Sequence, residues 1–161
     1  NILCAKFRKG HFEGVIDVMD RLTDIVRPRK IFMGEKDYQQ MLLVKKFIEK
    51  KYKSKIILCK TIRTNNHLAL SSRNKLLNKK SKIIAGKIAK ELLHFKKSLK
   101  NSKNIKSLLQ SKFEFLKKKF DIKIEYLEIR KKNNLKISNN QKNSKIFIAY
   151  FINKVRLIDN F

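Results

Sequence analysis

Tryptophan is missing from this sequence, proline occurs once, cysteine twice and glycine four times. Each shortage excludes something. Cys4 and Cys59, each in an apolar setting, make neither a disulfide scaffold nor a metal knuckle, and the pattern predicts free, buried thiols. No two of the three histidines stand at metal-site spacing and no cysteine joins them, which argues against a protein-bound transition metal. The longest continuous apolar run, IFIAYFI at 146–152, falls far short of a bilayer span, and no signal peptide is legible at the N-terminus. A soluble, reducing, cytoplasmic setting without a membrane partner is therefore expected. Neither a GK[ST] phosphate loop nor a serine nucleophile elbow is present.

Acidic residues are the other shortage: 13 Asp and Glu face 41 Lys and Arg, a formal charge of +28. Such an excess invites reading the chain as a basic nucleic-acid-binding module, since clustered cations release counterions from a phosphate backbone. The surplus is almost all lysine, spread along the chain on the polar side of amphipathic segments. Arginine, the residue suited to bidentate phosphate and guanine contacts, occurs only eight times. A solvated surface with no specific nucleic-acid partner is the expectation, together with nonspecific adhesion and self-repulsion at low salt. The length, 161 residues, suffices for one sizeable domain or two small ones. The chain opens on Asn1 rather than Met, and its motifs begin within the first fifteen residues, so a piece of a longer protein is expected.

What is present falls into a strand–helix rhythm. Apolar residues at 12, 15, 16, 19, 22, 25 and 26 predict a helix over 12–26 with one stripe facing a core, closed by Pro28. Lys30 to Met33 read as a short buried strand ended by Gly34. A helix over 38–50 turns Met41, Leu42, Val44, Phe47 and Ile48 inward, and IILC at 56–59 forms a second buried strand. This is the βαβ pattern of a parallel sheet. After Arg63 the polar run TNNHLALSSRN predicts a loop or hinge. Helices follow over 79–95 and 104–118, joined by the Lys- and Asn-rich connection at 96–104. Strands are expected at 122–129, 146–152 and 155–158, with a turn-rich, mobile segment over 131–145. The expected organisation is an α/β layer over residues 1–61 and a small α+β module over 62–161, helices first and an antiparallel ribbon last.

Three clusters carry chemistry. In IFMGEKDYQQ, Gly34 stands at the carboxyl end of a parallel strand, where open α/β sheets collect ligands and where glycine admits close backbone approach. Lys36 offers a compact positive charge to a phosphate oxygen. Asp37 can cap the following helix, or hold a ribose hydroxyl or a metal, and the amides of Gln39 and Gln40 suit hydroxyl or carboxylate recognition. The same decapeptide is also an ordinary loop-to-helix turn. In LALSSRN, Ser71, Ser72 and Arg73 can make a dense set of hydrogen bonds to a polyphosphate, or one serine can simply cap a helix. In FRKGHFEG, Arg8 and His11 flank Gly10, and His11 can donate to a polar ligand or cap its helix. His67 and His94 have weaker cases. Backbone N–H groups, Lys36, Ser71 and Arg73 together could oppose charge building on a leaving phosphate.

In this order the clusters resemble the pantothenate synthetase (pantoate–β-alanine ligase) family, whose pattern runs RPGHFxGV, FGEKDYQQ, LALSSRN and RLIDN. The counterparts are Arg8 to Val15, Phe32 to Gln40, Leu68 to Asn74 and Arg156 to Asn160, so the resemblance extends over essentially the whole chain. It implies part of a Rossmann-like nucleotidyltransferase layer over 1–61, followed by a C-terminal lid module over 62–161. It also implies joining of (R)-pantoate to β-alanine with ATP and Mg²⁺ through a pantoyl adenylate, in a homodimeric parent. The matching positions assign ATP contacts to Gly34, Glu35, Lys36, Asp37, Ile62, Leu70, Ser71, Ser72 and Arg73. Pantoate contact falls to Gln40, with Arg8 and His11 lining the pantoate side. Catalytic charge neutralisation falls to Lys36, Ser71 and Arg73. The family's HxGH segment has no counterpart here, which implies a chain inactive by itself or a non-catalytic remnant. Lys9 stands where the family has Pro and Asp17 where it has Thr. His67 and Asn153 replace Gly, Val155 replaces Thr, and Leu70 replaces a frequent Met. His67 is the more costly change if its backbone needs a positive φ.

Overall fold

The computed structural model describes residues 2–99 and 104–161. Its contacts divide it into two compact units, Asn1–Thr61 and Ile62–Phe161.

The first unit is a short α/β layer. It contains α1 (Cys4–Phe7), α2 (His11–Val26), β1 (Lys30–Gly34), a 3-10 turn over Glu35–Asp37, α3 (Tyr38–Lys51) and β2 (Lys55–Cys59). β1 and β2 pair in parallel, Lys30 beside Lys55 and Gly34 beside Cys59. Parallel neighbours need a crossover connection, and α3 supplies it, burying Met41, Val44 and Ile48 along one face. Glu49 accepts the Ile56 N–H at 2.9 Å, which fixes the end of α3 to the start of β2. Asp20 on α2 accepts from Lys51 at 2.8 Å and from the Tyr52 hydroxyl at 2.6 Å. The Lys51 bond, then the Tyr52 bond, holds the Asp20 carboxyl below its ordinary range.

Three expectations need correcting in this unit. The α2 stripe does not face a core along its whole length. Thr23 is the buried residue of the helix, whereas Leu22, Ile25 and Val26 are exposed, Ile25 to 78%. The inward line runs on from Met19 to Thr23, whose hydroxyl donates to the Met19 carbonyl at 2.6 Å and so enters the interior with its polar group satisfied. β1 is only half-buried at best, and in β2, also expected to be buried, Ile56 alone is buried while Leu58 is exposed. Residues alternate sides along a strand, and Phe32, opposite in sense to Ile31 and Met33, is 67% exposed. Of the two free thiols, Cys4 is buried, but Cys59 is exposed because it lies at the open carboxyl end of β2.

The second unit carries the larger core. A loop from Ile62 leads into a 3-10 turn over Ser72–Leu76. Then come α4 (Lys79–Ser98), α5 (Ile105–Phe120), β3 (Lys123–Lys131), β4 (Ser144–Ile152) and β5 (Val155–Asn160). Asn78 and Asn104 cap the two helices, accepting from the N–H groups of Ser81 and Ser107. The sheet is antiparallel in the order β3-β4-β5. β4 is paired on both sides and buried almost throughout, which suits its apolar run. Ala85, Ile88, Leu92 and Phe95 of α4 and Leu116 of α5 pack with Ile146, Ile148, Tyr150 and Ile152 in one cluster. Burial first, and the Asp159 carboxylate second, keep the Tyr150 hydroxyl protonated far above its ordinary range. Of the predicted connection at 96–104, residues 100–103 lie outside the described residues. The segment expected to be turn-rich is so, but it is also pinned. Arg130 donates to the Leu135 carbonyl at 2.6 Å, and Leu135 and Ser138 are buried.

Two positions that hold glycine in the resembling family have left-handed backbone here: His67 at φ 71° and Asn153 at φ 53°. Asn tolerates that region, so the turn between β4 and β5 accepts the change. A histidine at φ 71° is strained. The His67→Gly variant is expected to melt higher, with a gain of about 1 kcal/mol, the usual cost of a left-handed non-glycine residue less the extra entropy of glycine. Chemical denaturation measures it.

Glu91 on α4 accepts from Lys119 at 2.8 Å and from Lys112 at 3.1 Å on α5. The Lys119 bond is the larger cause of its lowered pKa. A carboxyl depressed on folding adds stability above its unfolded pKa, and that stability fades as pH falls through the folded value. Glu91→Gln is expected to cost about 0.5–1 kcal/mol at neutral pH and to equal the wild type in strong acid, read from denaturation midpoints across pH.

Candidate functional site

The sequence-predicted residues lie partly in each unit, and each part has its own geometry. In the first, β1 and β2 end level with each other at Gly34 and Cys59, and the Glu35–Asp37 turn follows directly. Gly34 has an extended backbone, and a Cβ built on it would meet no atom within 4 Å, so the space above it is open. Lys36 is half-buried and pairs with Asp37 at 3.2 Å. This overturns the expected cap: Asp37 occupies the N-cap position of α3, but its carboxylate turns to the Lys36 ammonium and makes no capping bond. Lys36 is thereby steered by its neighbour's charge. Burial first, and Glu35 second, raise the Tyr38 hydroxyl pKa.

The two glutamines, equivalent on paper, separate. Gln39 is buried, accepting the Cys4 N–H at 3.0 Å and donating to the Ile2 carbonyl at 2.9 Å. It tethers the N-terminal segment to the first turn of α3. Gln40, half-buried on the same turn, carries no such internal duty among the described residues. The tethered segment leads through α1 to Arg8, whose guanidinium donates to His11 Nε2 at 2.6 Å. Gly10 takes φ 75° between them, the one glycine in the chain with positive φ, and starts α2.

In the second unit the LALSSRN segment is half of a small antiparallel turn. Leu70 donates its N–H to the Ile62 carbonyl at 2.9 Å, and Arg63 bridges Ala69. Ile62 and Leu70 are 70% and 51% exposed, an apolar pair presented to solvent rather than to the core. Ser71 Oγ accepts the Arg73 N–H at 3.3 Å, so the capping role foreseen for a serine is realised. Ser72 is exposed. Arg73 is half-buried and donates to the Arg156 carbonyl at 3.1 Å. His94 is exposed on α4. Among the described residues no group of three or more His, Cys, Asp or Glu side chains could hold a metal. Sequence reasoning missed Arg63 and Asp159, which join in a fork across 96 positions. The available signal was Arg63 itself, one of few arginines in a lysine-rich chain.

Parallel strands ending in a glycine-led basic turn, followed in the chain by a separate antiparallel α+β unit, define a two-unit α/β protein with anion-suited loops. Comparison with known proteins makes this particular. The profile of the pantoate-beta-alanine ligase family matches residues 1–161, and the chain belongs to that family. The pantothenate synthetase of Clostridium botulinum (strain 657 / Type Ba4) is 42% identical over 165 residues, covering 99% of this chain and 58% of the relative. The crystal structure of pantothenate synthetase from Thermus thermophilus superposes with a TM-score of 0.91 at 28% identity, over 99% of this chain and 59% of that one. The pantoate-beta-alanine ligase of Francisella tularensis, solved with beta-gamma ATP and beta-alanine, gives a TM-score of 0.74 at 36% identity, over 100% of this chain and 54% of that one. The chain thus spans somewhat over half the length of these relatives.

Replacing Gln39 with Ala should destabilise the first unit by about 1–3 kcal/mol, because it strands a buried backbone N–H, whereas Gln40→Ala should shift stability by less than about 0.5 kcal/mol. Paired urea titrations distinguish the two.

Proposed function

We propose that this chain is the ATP-handling portion of an ATP-dependent ligase that condenses (R)-pantoate with β-alanine. The observation that carries the reading is the chemistry at the sheet end: Lys36, half-buried and steered by Asp37, directly after Gly34 at the carboxyl ends of two parallel strands. Such a position suits a phosphate oxygen. On this reading the first unit is part of a Rossmann-like nucleotidyltransferase layer and the second is a lid.

In the first step a pantoate carboxylate oxygen attacks the α-phosphorus of ATP. The bond to the β-phosphate breaks and pyrophosphate leaves. In the second, the β-alanine amine attacks the acyl carbon, the bond to AMP breaks and the amide forms. Lys36, Ser71 and Arg73 counter the charge that grows on the departing phosphates. Gly34, Glu35, Asp37, Leu70 and Ser72 contact the nucleotide, as does Ile62 through its backbone. Gln40 holds pantoate, with Arg8 and His11 on the same side. Mg²⁺ has no ligand cluster among the described residues, so it would arrive with the nucleotide phosphates, which is its usual habit. The complete enzyme is taken to be a cytoplasmic homodimer.

Calorimetric titration of ATP into this chain tests the reading. Lys36→Ala and Arg73→Ala should each weaken binding by about tenfold or more, the loss of one charge-assisted contact. Equal affinity in all three proteins would remove it. The chain by itself is expected to show no pantoate-dependent AMP release.

A further inference from the structure

The loop that carries Ser71 and Arg73 has little apolar anchorage of its own, only Leu68 and Ala69 being buried in it. Polar contacts hold it instead. Arg63 gives Nη1 to Asp159 Oδ2 at 2.6 Å and to the His67 carbonyl at 3.1 Å. It gives Nη2 to Asp159 Oδ1 at 2.8 Å and to the Asn160 carbonyl at 3.3 Å. The guanidinium also lies 4.8 Å from the Phe161 ring centroid. Four of its donor directions are therefore committed within the protein, and both partners of the fork are largely buried. Arg63 is not a spare phosphate ligand. At the other end of the loop Arg73 donates to the Arg156 carbonyl, and Arg156 is itself held by Glu125 at 2.7 and 2.8 Å. Between them, Asn66 donates to the Lys82 carbonyl of α4 at 3.3 Å. Gly86 makes room for it: a Cβ there would overlap the Asn66 carbonyl and lie 2.7 Å from its Cγ.

We infer that Arg63 and Asp159 are positioning residues: their fork locks the Ile62–Arg73 loop to the end of β5, so that Ser71 and Arg73 are presented in one fixed arrangement to the phosphates. The role at the nucleotide rests on the function proposed above; the anchoring of the loop does not. It also gives the RLIDN ending a task, since β5 supplies both the carboxylate for Arg63 and the carbonyl for Arg73. A lysine at position 63 would keep the charge but lose the fork, because an ammonium cannot make two parallel bonds to one carboxylate.

Site-resolved amide exchange on the full chain, paired with ATP titration, tests this. In Asp159→Asn and in the milder Arg63→Lys, the amides of Thr64, Leu70 and Asn74, all bonded within the loop, should exchange about tenfold faster or more. The Leu116 amide in α5, buried in the core away from β5, should be unchanged. ATP affinity should fall by about tenfold, with Gly86→Ala producing the same pattern from the opposite side of the loop. Loop amides that stay protected, or that quicken only in step with Leu116, overturn the anchoring. A loosened loop with unaltered ATP affinity overturns the positioning role. A wild-type chain that binds no ATP removes the nucleotide reading and the role built on it, while the exchange data still decide whether the fork holds the loop.

Discussion

Carboxylate is the scarce partner in this molecule, and the folded structure depends on where it is placed. With 13 acidic side chains against 41 basic ones, most cations can only face water, and several of the pairs that form fall at joints between elements. Asp20 joins α2 to the end of α3, and Glu91 serves two lysines at once between α4 and α5. All four arginines of the second unit have defined side-chain bonds: Arg63 to Asp159, Arg73 to the Arg156 carbonyl, Arg130 to Glu128, and Arg156 to Glu125. Lysine could not replace these contacts, since a planar fork keeps more of its hydrogen bonds when desolvated than a flexible ammonium does. In the second unit arginine holds loops and strands, while lysine solvates the surface and, at Lys112 and Lys119, joins the two helices.

The regular elements were legible because their signals are local. Helical spacing marks α2 to α5 within a few residues of their observed ends, and the apolar runs mark the five strands. What was not legible depends on what lies across from a residue. Leu22 and Thr23 are neighbours, and periodicity favours the leucine as the inward one, yet the packing of α2 takes the threonine, which satisfies its hydroxyl on its own helix. Asp37 has the right type and place for a cap, but its nearest charge is Lys36. Four-residue α1 has too few positions to show any period. The fork between Arg63 and Asp159 joins residues 96 positions apart, and no local pattern announces it.

The candidate site shows the same contrast. The strings around Lys36 and Ser71 were conspicuous because unlike polar groups crowd the end of a strand or the start of a turn. Their division of labour was not. Gln39 and Gln40 are chemically identical, and only the approach of the N-terminal segment assigns one of them to structure. Ser71 fills its capping role and still stands beside Arg73, so the structural and ligand-binding readings of that serine do not compete. His11 accepts from the arginine beside it, so its Nε2 is engaged within the chain.

The uncovered stripe on α2, Val18, Leu22, Ile25 and Val26, sets how this chain must behave in bulk solution. In dilute buffer the formal +28 keeps molecules apart, although the same charge strains each one from within. Added electrolyte shortens the reach of that repulsion, so every molecule gains internal cohesion while the collection loses its colloidal protection and the oily stripes can meet. Individual robustness and shelf solubility therefore move in opposite directions along the same ionic-strength axis.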